Sequence, residues 1–201
     1  MLSFSLTYED AVSKKDVKNR CKWCLSDPLY IEYHDKYWGV PEYNDKKLFE
    51  MLVLEGAQAG LNWLTILKKQ SGYKKAFHNY SLTKIAKMEP NDVGRLMLNP
   101  DIIRNRLKIN SVIKNARCYI RIQKEYGSFA NYIWGFIDAP INNEVKDLND
   151  VPAKTELSLK ISKSLKKNGF SFVGPTIIYA YMQAIGMVND HQVDCWRHDQ
   201  V

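Results

Sequence analysis

The chain has 201 residues, of which 45% are hydrophobic and 25% are charged, and its formal net charge is +7 at pH 7. A chain of this length and composition is neither too short nor too polar to bury a core. We therefore predict a globular protein with one substantial core or two small lobes. The positive charge favours an anionic partner such as nucleic acid or a phospholipid surface.

The N-terminal residues are polar and irregular. A secretory signal has a basic region followed by an apolar run. The stretch MLSFSLTYEDAVSKKD lacks this pattern and contains acidic residues early. We therefore expect residues 1–19 to form a flexible extension, residues 20–201 to form a single α-helical domain, and the protein to be cytoplasmic. In a reducing compartment Cys21, Cys24, Cys118 and Cys195 are expected to bind a metal or to remain free thiols rather than to form two disulfides.

Aromatic residues are concentrated just after the extension, around two turn signals, Asp27-Pro28 and Gly39-Val40-Pro41. Because Tyr and Trp rings have a polar tip, they can line a pocket, although each ring taken singly could equally cap the hydrophobic core. The residues are Trp23, Tyr30, Tyr33, Tyr37, Trp38 and Tyr43.

The segment Met51–Leu67 contains one ionisable side chain, Glu55. At helical spacing Glu55 shares an apolar face with Leu48 and Leu52. Burying an unpaired carboxylate costs on the order of several kcal/mol. The carboxylate must therefore be paired with a cation such as an Arg, be neutralised, or be held for a ligand that completes it.

Glycines divide this segment and predict a helix, a break near Gly60 and a second helix that ends near Lys69. The break would place the Trp63 ring near the cleft that contains Glu55. The segment is too short and too polar to span a bilayer comfortably, and we expect no membrane partner.

Basic residues are concentrated between Arg95 and Lys124, where eight of them face a single acid, Asp101. Pro90 starts a predicted helix that reaches Leu98. A tight turn at 99–101 and a second, basic amphipathic helix follow. Two helices joined in this way can direct backbone N–H groups, Arg and Lys toward a DNA phosphate. Many helical hairpins bind nothing, but the local charge favours a DNA contact.

The two ends of the chain contain a candidate metal site. Cys21 and His34 lie near the start, and His191 and Cys195, four residues apart, would lie on one side of a helical turn near the finish. Two Cys and two His suit a tetrahedral Zn²⁺ with a closed, structural role. Cys24 leaves an alternative open, because Cys21-x-x-Cys24 could supply two ligands or a redox pair.

Taken together, these motifs resemble the DNA-3-methyladenine glycosylase I family of the helix-hairpin-helix superfamily. The resemblance runs from about Arg20 to Cys195 and is carried by RCKW, SDPLYIEYHDKYWGVP, KKLFEMLVLEGAQAGLNWLTILKK, IIRNRLKI and KNGFSFVGPTIIYAYMQAIGMVNDHQVDC. It implies an all-α helix-hairpin-helix glycosylase fold, with the hairpin around 91–120 and one structural Zn²⁺ that joins the N- and C-terminal regions. It also implies hydrolytic removal of N3-methyladenine from double-stranded alkylated DNA by a monofunctional enzyme that we expect to be a monomer.

The resemblance implies a role for each matching residue. Glu55 would be the catalytic carboxylate that hydrogen-bonds the methylated base, and Gln58 to Leu61 would probe the gap left by the flipped nucleotide. The metal ligands would be Cys21, His34, His191 and Cys195, with Cys24 a bystander. The remaining base-binding residues would be Tyr33, Trp23, Trp63, Tyr30 and Trp38. Apart from the resemblance, the basic charge of the predicted hairpin leads us to expect further DNA contacts from Arg104, Arg106 and Lys108.

Superfamily members commonly have an Asp after the hairpin that assists the attacking water. The segment that follows the predicted hairpin, IKNARCYIRIQKEYGSF, contains no Asp. Two other functions are compatible with parts of the chain: a non-catalytic, zinc-stabilised DNA-binding protein, and a zinc-stabilised helical protein that binds another protein through its aromatic region. The Glu55 carboxylate, which would face apolar rings, has no role in a non-catalytic DNA-binding protein.

Overall fold

The structure, a computed structural model, describes residues 18–201 and is mostly helical, which confirms the all-α class. Within this range the α-helices are α1 (Pro28–Lys36), α2 (Asp45–Gln58), α3 (Trp63–Ala76), α4 (Leu82–Ala86), α5 (Pro90–Leu96), α6 (Arg106–Tyr126), α7 (Phe129–Trp134), α8 (Glu156–Lys167) and α9 (Pro175–Ala184). Single 3-10 turns occupy Lys22–Cys24, His78–Tyr80, Leu148–Asp150 and His198–Gln200.

Helix α2 lies at the centre of the core. The Asn44 side chain accepts hydrogen bonds from the N–H groups of Lys46 and Lys47 and so starts the helix. Leu48 and Leu52 are buried as the helical spacing predicts. The surrounding elements pack on this helix: its neighbours include α3, α6, α7 and α9. Any polar group on the apolar face of α2 is therefore deep inside the molecule.

Two short parallel strands tie the connection before α8 to the segment after α9. In this pair β1 (Ile141–Asn142) aligns Ile141 with Val188 of β2 (Val188–Asn189), and a further bridge joins Val145 to Gln192. Residues 138–152 thus have a fixed place beside the C-terminal segment.

Helix α3 is longer than the sequence predicted. It continues to Ala76 instead of ending near Lys69, and Gly72 lies inside it. A Cβ atom at Gly72 would overlap the backbone carbonyl oxygen of Asp101, so this glycine permits close packing and does not break the helix.

The predicted turn at 99–101 is present, with the Asp101 N–H donating to the Asn99 Oδ1 atom at 2.9 Å, but it is only part of a longer connection. Helix α5 ends at Leu96 and α6 starts at Arg106, so nine residues join them. The role of residues 91–120 in DNA binding stays a prediction.

Two residues of the predicted extension, Lys18 and Asn19, are described, and both contact the C-terminal segment. The Asn19 side chain donates to the Asp194 carbonyl at 2.7 Å, and the Lys18 ammonium lies 3.7 Å from the centre of the Trp196 ring. The other residues of the predicted extension, 1–17, lie outside the described residues. Among the helices of residues 18–201, none has the length and apolar character needed to cross a membrane.

Candidate active site and metal centre

A cavity of about 410 Å³ lies between the aromatic N-terminal region, the α2–α3 break and the segment around α9. Its volume falls within the range of small-ligand sites. The structure brings all six predicted base contacts to this cavity, together with Gln58. The residues on this side are Trp23, Tyr30, Tyr33, Trp38, Glu55, Gln58 and Trp63.

Glu55 is the ionisable residue that α2 presents to the cavity, and its side chain is 4% exposed. Its Oε2 atom has no hydrogen-bond partner, and no Arg or Lys of residues 18–201 forms a salt bridge with the carboxylate. Burial raises the pKa of Glu55 to about 8. Of the readings that the sequence left open, pairing with a guanidinium is therefore excluded for this part of the chain, and a neutral acid waiting for a ligand remains.

The aromatic rings form two walls. Trp23 meets Trp38 edge-on with ring centres 5.0 Å apart, and Tyr33 lies 5.4 Å from Trp63. The Trp63 Nε1 atom is buried without a hydrogen-bond acceptor, as the Glu55 Oε2 is buried without a donor. A flat ring with polar edges would satisfy groups of both kinds.

Tyr30 has a second task. Its hydroxyl accepts from the Leu64 N–H at 3.1 Å and donates to the Asn62 Oδ1 atom at 3.3 Å. Asn62 caps α3, so Tyr30 fixes the start of the helix on which Trp63 is the first residue.

The opposite side of the cavity was missed by the sequence analysis. Residues 148–153 reach it because β1 pairs with β2, and α9 and the segment after it supply the rest. The cavity residues on this side are Leu148, Val151, Pro152, Ala153, Ala180, Gln183 and Asp190.

Asp190 is a second acid group at the cavity, and it lies far along the chain from residues 113–129, which contain no Asp. Its carboxylate accepts hydrogen bonds of 2.7 Å from the Tyr179 hydroxyl, from the Gln183 amide and from the Asn143 amide. Its position directly before a predicted metal ligand, His191, is the sequence signal that would have placed it near the aromatic cluster.

The four predicted metal ligands come together next to the cavity. One donor atom from each of Cys21, His34, His191 and Cys195 lies within 4.8 Å of the others, and all four residues are buried. The Cys195 Sγ atom is 3.4 Å from His34 Nε2 and 3.6 Å from His191 Nδ1. Zinc–sulfur and zinc–nitrogen bonds at tetrahedral angles require roughly 3.6 Å between such atoms. The spacing therefore fits a tetrahedral ion.

Outer hydrogen bonds leave the correct nitrogen of each His free. The His34 Nδ1 atom contacts Asp35 Oδ1 at 2.8 Å, which leaves Nε2 for the metal, and His191 Nε2 contacts the Trp38 carbonyl at 3.1 Å, which leaves Nδ1. The hydrogen bond between the two thiols lowers the pKa of Cys195 and raises that of Cys21, so one thiolate is favoured and a second needs a cation beside it.

Two details of the metal centre differ from expectation. The His191–Cys195 segment is a series of turns, closed by a 2.7 Å bond from the Cys195 N–H to the Gln192 carbonyl, and not a helical turn. Cys24 is buried nearby, but its thiol donates to the Cys21 carbonyl and it lies outside the group of four.

The predicted DNA contacts divide into two groups. Gln58 lines the cavity, Leu61 is 41% exposed at the α2–α3 break, and Arg104 and Arg106 are exposed. Lys108 is different: it is 8% exposed, and its ammonium donates to backbone carbonyls at the end of α2. The prediction that Lys108 contacts a phosphate from an exposed helix face is therefore wrong, because the side chain turns inward.

Comparison with known proteins gives a consistent result. The family model described as methyladenine glycosylase matches residues 23–198. The chain is 49% identical to the DNA-3-methyladenine glycosylase of Haemophilus influenzae over 177 residues, which cover 88% of this chain and 96% of that protein. It is also 49% identical to DNA-3-methyladenine glycosylase 1 of Escherichia coli, over 88% of this chain and 95% of the relative.

Solved structures agree. A crystal structure of 3-methyladenine DNA glycosylase I superposes with a TM-score of 0.88 at 48% identity and covers 90% of this chain and all of the other. The Staphylococcus aureus glycosylase, solved to explain 3-methyladenine recognition, gives a TM-score of 0.86 at 36% identity and covers 90% of this chain and 97% of its own. By sequence and by fold, the chain belongs to the methyladenine glycosylase family.

Proposed function

We propose that this protein is a monofunctional DNA glycosylase of base-excision repair, which flips N3-methyladenine out of alkylated double-stranded DNA and hydrolyses its N-glycosidic bond. The observation that carries this proposal is the buried, unpaired carboxylate of Glu55 at the wall of an aromatic cavity. The names of the relatives, and a related glycosylase solved in complex with 3-methyladenine, support the choice of substrate.

The chemistry of the lesion fits a site built for recognition. Methylation at N3 makes the adenine ring cationic, so the base is a good leaving group before any protein acts. The bond from the base to C1′ breaks, the base departs as neutral 3-methyladenine, and water adds to C1′ and loses a proton. No residue of the described cavity lining is a Lys that could form a covalent adduct with the sugar, in agreement with a hydrolytic, monofunctional route.

The cavity can distinguish the lesion from adenine. A cationic ring stacked on Trp or Tyr gains about 0.5 to 2 kcal/mol. The same ring gives the Glu55 carboxylate an opposite charge, which favours its ionised form and offsets the burial that raises its pKa. Neutral adenine supplies no opposite charge, so Glu55 stays protonated and adenine binding gains no ion pair.

DNA would approach over the α2–α3 break. Leu61 and Gln58 are placed to probe the gap left by the flipped nucleotide, and the exposed Arg104 and Arg106 can contact phosphates. Rotating a base out of the stack costs a few kcal/mol, and less for a damaged base.

We further propose that the four-residue metal centre holds one Zn²⁺ with a structural role, because two thiols and two imidazoles leave no open position. The ion would join residues 21–34 to residues 191–195. A protein that works on single lesions in chromosomal DNA needs no second subunit and acts where that DNA is, and we propose a cytoplasmic monomer.

A non-catalytic DNA-binding protein is the alternative, and the cavity argues against it because a binding module gains nothing from an unpaired buried acid. Incubation with methylated duplex DNA and chromatography of the released bases separates the two. We expect the wild-type protein to release free 3-methyladenine. Glu55→Gln, which keeps the shape of the side chain but cannot carry its negative charge, should release the base at least roughly 10-fold more slowly.

The matched control is Glu50→Gln, the same change on α2 at a residue that hydrogen-bonds Gln70 outside the cavity. This variant should release the base at the wild-type rate. Undiminished release by Glu55→Gln would show that Glu55 does not recognise the base.

A further inference from the structure

The break between α2 and α3 is a tight turn of defined type. Ala59 has φ −40° and ψ 114°, Gly60 has φ +74°, and the Leu61 N–H donates to the Gln58 carbonyl at 2.6 Å. These values describe a type II β-turn over residues 58–61. Such a turn needs the positive φ at its third residue, which is why Gly60 stands there.

A type II turn fixes the direction of its central peptide group. Relative to a type I turn, the peptide between Ala59 and Gly60 is rotated, so its carbonyl and its N–H exchange sides. The side to which the Ala59 carbonyl points therefore decides where the Gly60 N–H points.

Lys108, in the first turn of α6, reaches across to this peptide. Its ammonium donates to the Ala59 carbonyl at 2.7 Å and to the Ala57 carbonyl at 2.8 Å. The end of a helix leaves its last carbonyls without partners, and here a side chain from another helix supplies the donors. The aliphatic part of Lys108 is enclosed, and burial lowers its pKa.

We infer that Lys108 is a positioning residue for the turn that probes damaged DNA. It holds the Ala59 carbonyl inward, which directs the Gly60 N–H and the Leu61 side chain outward and keeps Gln58 at the cavity. Gly60 is exposed, and no atom lies within 4 Å of where its Cβ would be, so the outward side of the turn is open. This inference rests on the proposed glycosylase function and assigns to Lys108 a task other than phosphate binding.

The test compares Lys108→Met, which keeps the aliphatic stem and removes the ammonium, with Lys74→Met, the same change at an exposed position of α3. Three quantities are measured: the single-turnover rate of 3-methyladenine release from duplex DNA, the affinity for free 3-methyladenine from tryptophan fluorescence, and the salt dependence of DNA binding. Arg104→Ala serves as a phosphate-contact comparison.

For Lys108→Met we expect a release rate from duplex DNA at least 10-fold below wild type, with free-base affinity within twofold of wild type. The slope of log affinity for DNA against log salt should be unchanged, whereas loss of a phosphate contact, as expected for Arg104→Ala, reduces its magnitude by roughly one. Lys74→Met should release the base at the wild-type rate.

A second variant covers the case in which Lys108→Met does not fold. Gly60→Ala leaves Lys108 intact and meets no neighbouring atom, but strains the positive φ of the turn, so it should show the same loss on duplex DNA with free-base binding retained.

Several results would overturn the inference. A wild-type release rate in Lys108→Met would refute the positioning role alone, and a slope reduced by one would return Lys108 to phosphate binding. An equal loss of free-base affinity and release rate would indicate damage to the whole site. A wild-type protein that releases no 3-methyladenine would overturn the proposed function itself and this role with it.

Discussion

At the scale of single residues, the site depends on what α2 does to one carboxyl group. Glu55 would be an ordinary surface acid on a helix with a polar face at that position. Here the position is on the apolar face of a central helix, and the side chain is buried without a partner. Burial makes the ionised form of Glu55 unfavourable and so raises its pKa. A cationic base beside the carboxyl group favours the ionised form again.

The raised pKa of Glu55 predicts that the stability of the protein depends on pH. The unfolded chain releases the Glu55 proton near pH 4.5, whereas the folded chain keeps it to about pH 8. Between these values the folded state binds more protons, so the Glu55 contribution to the free energy of unfolding falls as pH rises and levels off above pH 8. Glu55→Gln lacks this term, and its stability relative to wild type should increase by on the order of 4 kcal/mol from pH 4.5 to pH 8.

Urea denaturation of both proteins across this pH range measures the difference, and every other titrating group cancels in the comparison. A constant offset between the two proteins at all pH values would mean that Glu55 ionises in the folded state as it does in water.

At the scale of elements, the sequence was most informative where one helix faces one environment. The helix through Glu55, the break at Gly60 and the second helix were predicted from apolar spacing and a glycine, and the structure confirms them. The direction of Lys108 could not be predicted, because a Lys beside Arg104 and Arg106 looks solvated until the carbonyls of α2 are known to lie beneath it.

Long-range pairing explains the other misses. Residues 138–152 have no strand pattern, and their position depends on three residue pairs with a segment more than 40 residues away. Asp190 and Gln183 reach the cavity through that same segment and through α9. Local periodicity contains no information about such contacts, whereas the metal ligands were found because their residue types are chemically specific.

Two glycines in helices have opposite predicted responses to the same substitution. Gly72→Ala should destabilise the protein by about 1–3 kcal/mol, because the new methyl group overlaps the Asp101 backbone. Gly94→Ala in α5 meets open space and should stabilise it by up to about 1 kcal/mol through helix propensity. Urea denaturation of each variant measures both effects, and a gain in stability at both positions would show that α3 does not pack closely on residue 101.

At the scale of the whole molecule, the metal centre and the cavity share a wall. The Trp38 ring lies 4.6 Å from the His191 ring, and the Trp38 carbonyl contacts the same imidazole. The aromatic region has little regular structure of its own beyond α1. The four-residue cluster holds this region against the rest of the domain, together with backbone hydrogen bonds such as that from the Gly39 N–H to the Gln183 carbonyl.

Metal removal should consequently affect both stability and base binding. Cys195→Ser should purify without a stoichiometric ion and with a Tm lower by roughly 10 °C, because a closed structural site contributes directly to folding. Elemental analysis and thermal denaturation check this result. Cys118→Ser, a buried thiol outside the cluster, should keep its full metal content. Retention of the ion by Cys195→Ser would mean that the ligands are misassigned.

Because the metal centre combines early and late residues of the chain, its assembly depends on the progress of translation. His34 and Cys195 are separated by 161 positions, so at a synthesis rate of 5–20 residues per second the first imidazole waits roughly 8–30 s for its last thiol partner. Until residues 191–195 are synthesised, Cys21 and His34 are the two of the four ligands that are present. A nascent chain that terminates before Cys195 cannot complete the set, so the finished cluster shows that translation has passed residue 195.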